Sequence, residues 1–513
     1  MDSRGSGTTR QQQLLLVGMA LSMAIWFVDD TAVTVALPTI ERYFDISSTA
    51  AQWTITAYLL AAAAGVAAAG RLADIFGRRR VFLIGVVTFM VGSMLAGLAL
   101  TDWWLVGARV VQGGGAALMG PAAIALITTS FPPERRGRAL GTIAAAASVA
   151  LAVGPLVGGA IVEGLGWRWI FFLNVPVAAS VVVLVHAVAR ESRDEGVRRV
   201  DVRGVVLLTA GLCALVLALA ESPAWGFDSI RTIGLIVGAA ICLVVFGLVE
   251  ARVDDPLIHL RVLRHRHVLV ASTVGLCNQF VVIALAVFAI TYFQVSFGLS
   301  PLEAGLLFLP TVLPQAATAR LAGRAADNVG PAIPIVAGMA TMAAALTWVS
   351  YASEQHSYLM MVPPMVAFGI GISLVVTPTR VAAQAAVDEE HQGLVAGVVS
   401  TFNRVGAVLG VALVGAFIVS LQHSRAINLL AHDRISPDRN DRAALDSILY
   451  HGHRGSAALA DDPSRIVGPV RHAANDAFSY AFANGMRFGA VVAAVAALLG
   501  LLLLRPVGRQ LRL

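Results

Sequence analysis

Gly70-Arg71-Leu72-Ala73-Asp74-Ile75-Phe76-Gly77-Arg78-Arg79-Arg80 lies between two long apolar runs, so it reads as a tight, charged hairpin joining two membrane-spanning helices. Gly70 and Gly77 at its ends permit a sharp turn and close helix approach. Asp74 is placed either to cap a helix N-terminus or to pair with an arginine, and the arginine triplet fixes a membrane side. The stretch has a partner: Gly323-Arg324-Ala325-Ala326-Asp327-Asn328-Val329-Gly330 repeats its Gly-Arg-x-Ala-Asp-x-x-Gly order. Two related halves follow from that repeat.

Composition agrees with membrane insertion. Of 513 residues 57% are hydrophobic and 13% charged, and the mean hydropathy is +0.77, a balance that soluble domains do not have. The net charge of +6 does not point to nucleic acid, because the arginines cluster between apolar runs. All 37 basic residues are arginine, which coding bias explains more simply than function. Cys213, Cys242 and Cys277 lie inside apolar runs without CxxC spacing and read as small buried hydrophobes. No metal or cofactor is expected. Residues 1–13 are polar, and the run after them is too long for a signal peptide, so it stays as the first span.

A span needs about 20 apolar residues, and fourteen runs qualify: 14–38, 52–70, 81–101, 103–128, 138–163, 167–189, 203–221, 229–250, 267–296, 302–321, 331–352, 358–379, 391–420 and 485–504. They are continuous rather than alternating, hence helices: the fold class is all-α integral membrane. Among the first eight spans, arginines concentrate in the loops after the second, fourth, sixth and eighth, against only Arg42, Arg168 and Arg231 in the alternate loops, while the long loop 421–484 escapes the rule. By the positive-inside rule those four loops and both termini are cytoplasmic, consistent with Arg505, Arg509 and Arg512 at the end. Residues 421–484 form a long polar outer loop, where His451-Gly452-His453 reads as solvated surface rather than a metal site, because no cysteine or spaced carboxylate completes one.

A second repeat sharpens the halves. Gly141, Ala150, Gly154-Pro155 and Gly158-Gly159 in the fifth span are matched by Gly397, Gly406, Gly410 and Gly415 in the thirteenth, with Val411 and Val414 replacing Pro155 and Gly158. The organisation is therefore a cytoplasmic N-terminus (1–13), a six-helix bundle (14–190), two inserted helices with cytoplasmic linkers (191–266), a second six-helix bundle including the loop 421–484 (267–504), and a cytoplasmic tail (505–513).

At this point the chain resembles the major facilitator superfamily, specifically its fourteen-helix drug:proton antiporter branch. Gly70–Arg80 resembles the superfamily's loop motif, Leu105–Gln112 with Arg109 its fourth-helix motif, Gly141–Gly159 the exporters' antiporter motif, and Val28–Pro38 the branch's first-helix signature. Trp167–Pro176 adds to the match. The chain departs from the pattern at Ala150, where the motif has glycine, at Thr34, where the signature has asparagine, and at Asp30, an added carboxylate. The resemblance implies a multidrug efflux transporter: Asp29 as the proton-coupling carboxylate, Gly70, Asp74, Gly77, Arg78 and the counterpart Asp327 as gating residues, and Gly154, Pro155, Gly158 and Gly159 as a hinge and seal.

The residues support this on physical grounds. Asp29 lies about nine residues below the outer end of its helix and Arg109 about six below the end of its own, so the two share a depth. A lone charge in hydrocarbon is costly, so such groups face a cavity or each other. A carboxylate that alternates between apolar surroundings and an arginine partner takes up and releases a proton. A static structural pair is the alternative. Asp30, about 100° around the helix from Asp29, is placed either to bind cationic substrate or to bond Arg109 or a packing neighbour. Gln112 shares the face of Arg109. Gly113-Gly114-Gly115 reads as close helix packing.

A drug cavity is mostly apolar and aromatic. Candidates are Trp26, Tyr58, Phe288, Tyr292, Phe293 and Phe308, with Gln112, Asn278, Gln279, Gln294, Gln315 and Asn403 as polar contacts. Arg404, deep in a span, must be paired or cavity-facing. The expected function is a proton-coupled antiporter in a bacterial inner membrane that exports amphipathic, preferentially cationic compounds by alternating access. Its partners are drug-like molecules, protons and membrane lipids, with no nucleic acid, and a monomer suffices. A lipid, siderophore or metabolite exporter is the rival on the same fold. A channel is disfavoured by the exporter motif, and an enzyme by the absence of a nucleophile and base at matched depth.

Overall fold

The computed structural model describes residues 10–193, 201–253, 260–384, 386–387, 392–432 and 467–504. Among them are fourteen α-helices: α1 (Arg10–Phe44), α2 (Ser48–Phe76), α3 (Arg78–Gly97), α4 (Asp102–Ser130), α5 (Pro133–Gly164), α6 (Arg168–Val188), α7 (Val202–Trp225), α8 (Ile230–Glu250), α9 (Arg266–Ser296), α10 (Pro301–Val329), α11 (Ala332–Glu354), α12 (Tyr358–Gln384), α13 (Gln392–His432) and α14 (Val467–Leu503). Eleven are long and apolar enough to cross a membrane, and thirteen if α2 and α5, bent by 53° and 42°, each count as one span. The bend in α5 falls between Leu151 and Val153, where the ring of Pro155 crowds the carbonyl four residues back. The remaining helix, α10, is the most polar, carrying Gln315, Arg320, Arg324 and Asp327.

The helices overrun the expected spans. The opening stretch is mostly helix, since α2 runs through Gly70 to Phe76 and α3 starts at Arg78, so Gly77 alone makes the turn, with φ +103°. A Cβ at Gly70 would meet nothing within 4 Å, so the close approach expected there is absent from this structure. At Gly77 a Cβ would meet the Glu191 carboxylate at 2.5 Å. Gly77→Ala is therefore expected to destabilise the chain by about 1 kcal/mol or more, and Gly70→Ala to be near neutral. Thermal unfolding of the two variants in detergent checks this. Similarly, α13 continues through 421–432 and α14 begins at Val467, because both ends carry helix-compatible residues once outside the apolar core. Residues 433–466, with His451-Gly452-His453, and the tail 505–513 lie outside the described residues.

Two bundles result, α1–α6 and α9–α14, and their packing is equivalent. Pairs α1/α5, α2/α4, α3/α4 and α3/α6 in the first correspond to α9/α13, α10/α12, α11/α12 and α11/α14 in the second. The glycine repeat explains the match in detail. Gly154 presses α5 against Thr31 of α1, as Gly410 presses α13 against Phe280 of α9. Five residues on, Gly159 meets Leu302 of α10 and Gly415 meets Gln52 of α2, so each helix joins its own bundle on one side and the opposite bundle on the other. The inserted α7 packs on α8 and touches both α2 and α13, with Trp53 Nε1 donating to Glu221 Oε1 at 3.1 Å.

Atom-level contacts between the bundles run from the membrane middle to the end opposite the Gly70–Arg80 hairpin. Gly158 lies against Ala32 within the first bundle, while Gly159 meets Leu302 and Pro301, Gly305 meets the Pro155 carbonyl, and Gln294 Nε2 donates to the Val35 carbonyl at 2.9 Å.

Candidate functional site

In the middle of α1, successive residues serve different partners. Asp29 turns into its own bundle and is fully buried, as is Arg109 of α4 at 1% exposure. The Nη1 of Arg109 reaches Asp29 Oδ2 at 2.5 Å and Gln112 Oε1 at 2.6 Å, while its Nε donates to the Thr54 carbonyl at 2.9 Å. Asp29 Oδ1 accepts from Gln112 Nε2 at 2.9 Å and from Asn174 Nδ2 at 2.8 Å. Ser93 Oγ accepts from the same two amides at 2.7 and 3.3 Å. Every charge is thus paired and hydrogen-bonded, the condition under which a buried ion pair is tolerated. Close packing makes it possible: a Cβ at Gly92 would strike the Gln112 backbone at 2.5 Å, and one at Gly115 the Gly85 carbonyl at 2.7 Å. Gly113 likewise presses on the Tyr58 carbonyl of α2, whereas Gly114 touches nothing, so two glycines of the triplet do the packing expected of three.

Asp30 turns the other way. Its Oδ2 lies 3.6 Å from Arg404 Nη1 of α13, so this pair joins the bundles. The Arg404 guanidinium also lies over the Trp26 ring at 4.3 Å, and Trp26 is one helical turn from Asp30. Asp30 therefore pairs with a neighbouring helix rather than with Arg109, and the Tyr58 hydroxyl of its own bundle lies beside it. It borders a cavity of about 20 Å³, room for roughly one water, lined by Tyr58, Arg109 and Thr34 and by apolar Ile55, Leu59 and Ile283. Arg109 stacks over the Tyr58 ring at 4.0 Å, and both border this cavity together with Asp30.

Several expected cargo contacts lie elsewhere. Gln112 belongs to the buried Asp29 network and does not line the cavity. Tyr292 is core: its hydroxyl donates to the Ser353 carbonyl at 2.8 Å and its ring stacks on Phe482 at 4.6 Å. Phe293 packs with Phe297 and Tyr358. The cause is rotation, since α9 is apolar all round and its sequence does not mark which face turns inward. Asn278 is buried and bonds Gln279 at 3.4 Å, and Asn403 sits beside Gly275.

In the hairpin, Asp74 Oδ1 accepts from Arg78 Nη2 at 3.0 Å, a local pair rather than a bridge to the other bundle. Asp327 has no such partner among the described residues, because Pro331 stands where an arginine would be needed. The N-terminus of α3 is capped by Glu191, whose carboxylate accepts from the Arg79 and Arg80 amides at 3.1 and 3.2 Å. Glu191, Ser93 and Asn174 carry roles that the sequence reading did not assign. The signal for Asn174 was present, as an amide within the apolar helix α6.

Two equivalent helical bundles, with one ion pair buried inside the first and another joining the two, have the organisation of a secondary transporter rather than an enzyme. The chain belongs to the Major Facilitator Superfamily, whose family model matches residues 15–411. It is 32% identical over 94% of its length to the multidrug resistance protein Stp of Mycobacterium tuberculosis, 90% of which is covered. It is 30% identical to the tetracenomycin C resistance and export protein of Streptomyces glaucescens, covering 94% of this chain and 89% of that one. The puromycin resistance protein pur8 of Streptomyces alboniger is 36% identical over 78% of this chain and 80% of its own. Among solved structures, a bacterial homologue of the human lysosomal transporter Spinster, inward-facing and unoccupied, superposes with a TM-score of 0.65 at 17% identity, covering 97% of this chain and 98% of that one.

Proposed function

We propose that this protein is a proton-coupled antiporter of a bacterial inner membrane that exports amphipathic drug-like compounds, with cationic ones favoured by Asp30. The names of its relatives support drug export, and one observation carries the coupling: Asp29 is a fully buried carboxylate whose every oxygen is held, with Arg109 as its counter-charge among the described residues. Protonating Asp29 removes that counter-charge. The guanidinium then keeps Gln112, the Thr54 carbonyl and the Tyr58 ring, and its freed charge is felt at Asp30, which borders the same cavity. Proton uptake on one side and cargo binding on the other are thereby opposed, as antiport requires.

The arginine-rich end faces the cytoplasm in this reading, with both termini, and the bundles meet at the outer end, as in an inward-facing transporter. Expression in a host lacking its own pumps is expected to raise resistance to lipophilic cations, and a protonophore to abolish the gain. Efflux that is insensitive to the protonophore overturns proton coupling. No gain for any amphiphile overturns drug export itself.

A further inference from the structure

The inter-bundle pair of Asp30 and Arg404 is incomplete. Among the described residues Asp30 Oδ1 has only the nearby Tyr58 hydroxyl, outside good hydrogen-bond geometry, and Oδ2 has Arg404 Nη1 at 3.6 Å. A charge-assisted hydrogen bond runs about 2.7–2.9 Å. Among the described residues Arg404 donates no hydrogen bond either, having only Asp30 nearby and the Trp26 face beneath it. Yet the side chains are 10% and 14% exposed, so both charges have left water. Around them Trp26 Nε1 is also buried without a partner among the described residues, and Tyr58 Oη has only Asp30 beside it. The contrast with Asp29 and Arg109, where every group is satisfied, is sharp: one pair is closely held and the other is loose, with fewer donors and acceptors than its charges can use.

Charge balance says what supplies them. A simple cation that bonded Asp30 would draw it from Arg404 and strand a buried guanidinium, which is costly. A simple anion on Arg404 would strand Asp30. A ligand with a cationic and an anionic group side by side satisfies both and leaves the net charge of the site unchanged. Its aromatic body would take the place of Arg404 against Trp26 or lie on the apolar wall of Ile55, Leu59 and Ile283.

We infer that Asp30 and Arg404 together read the charge of the cargo, and that among compounds carrying a cationic group the site binds those that also carry an anionic one more tightly. This deepens the export reading above and rests on it. Arg404 supplies an anion-binding role at a position that the cation reading leaves empty.

The test uses the full chain purified in detergent and a pair of xanthylium dyes, one with a free carboxylate and the other its methyl ester. Fluorescence polarisation measures binding of each. Wild type is expected to bind the free acid about tenfold more tightly than the ester, the worth of one charge-assisted contact. Arg404→Gln should erase the preference, and Arg404→Lys should keep part of it. The double variant Asp30→Asn/Arg404→Gln strands no charge, which guards against misfolding, and should bind both dyes alike. Equal or tighter binding of the ester by wild type overturns the inference, as does a preference that survives in the double variant. Binding of neither dye overturns it too, and protonophore-sensitive resistance in the host then shows whether the export reading survives.

Discussion

Asp29→Asn is expected to abolish proton-driven efflux of every substrate, because an amide cannot alternate between a charged and a protonated form. The variant also leaves Arg109 buried without its counter-charge, and removing one partner of a buried pair costs about 3–5 kcal/mol. A loss of activity alone would thus fit a static structural pair equally well. The double variant Asp29→Asn/Arg109→Gln separates the two readings. It removes both charges while keeping side chains able to bond Gln112, Asn174 and Ser93, so thermal stability in detergent should return toward wild type. Coupling should not return. In everted vesicles with an imposed pH gradient, wild type releases protons on addition of drug, whereas neither variant should. Drug-induced proton movement in the double variant would make Asp29 and Arg109 a structural pair and place coupling elsewhere.

That network shows where sequence reasoning reaches and where it stops. The meeting of Asp29 with Arg109 was legible because charges in hydrocarbon must be answered and the two residues share a depth. The fourteen helices were legible for a similar reason, since apolar runs of sufficient length leave the backbone little choice. Helix ends were less so: α2, α10, α13 and α14 all continue past the point where hydrophobicity fades, because helix propensity and capping, not lipid, decide where they stop. Rotation was the larger gap. Nothing in α9 distinguishes Tyr292 and Phe293, which pack into the second bundle, from Ile283 and Val287, which face the cavity. The pairing of Asp30 with Arg404 also depends on how two whole bundles are set against one another. Spacing along one helix shows only that Asp30 points away from Asp29.

Gly159→Val is expected to cripple transport by forcing the bundles apart at the end opposite the hairpin. A Cβ there would lie 2.5 Å from Leu302 Cα and 2.7 Å from the Pro301 carbonyl, both backbone atoms of α10 that have no rotamer to escape into. Overpacking of this kind costs about 1–3 kcal/mol, which corresponds to roughly a fivefold to 150-fold fall in the population of the conformation that needs the contact. The symmetry-related Gly415 is a built-in control. Its added Cβ would meet the Gln52 side chain, which can swing aside, and the Phe288 ring at 3.2 Å, so Gly415→Ala should cost far less. Proteoliposomes loaded with a pH-sensitive dye distinguish a broken seal from a broken fold. The Gly159→Val protein should reconstitute normally, lose drug-driven exchange, and leak protons without substrate, whereas Gly415→Ala should remain tight. A tight, fully active Gly159→Val would mean that α5 and α10 separate and re-form without passing through the contact seen here, and that the seal lies elsewhere between the bundles.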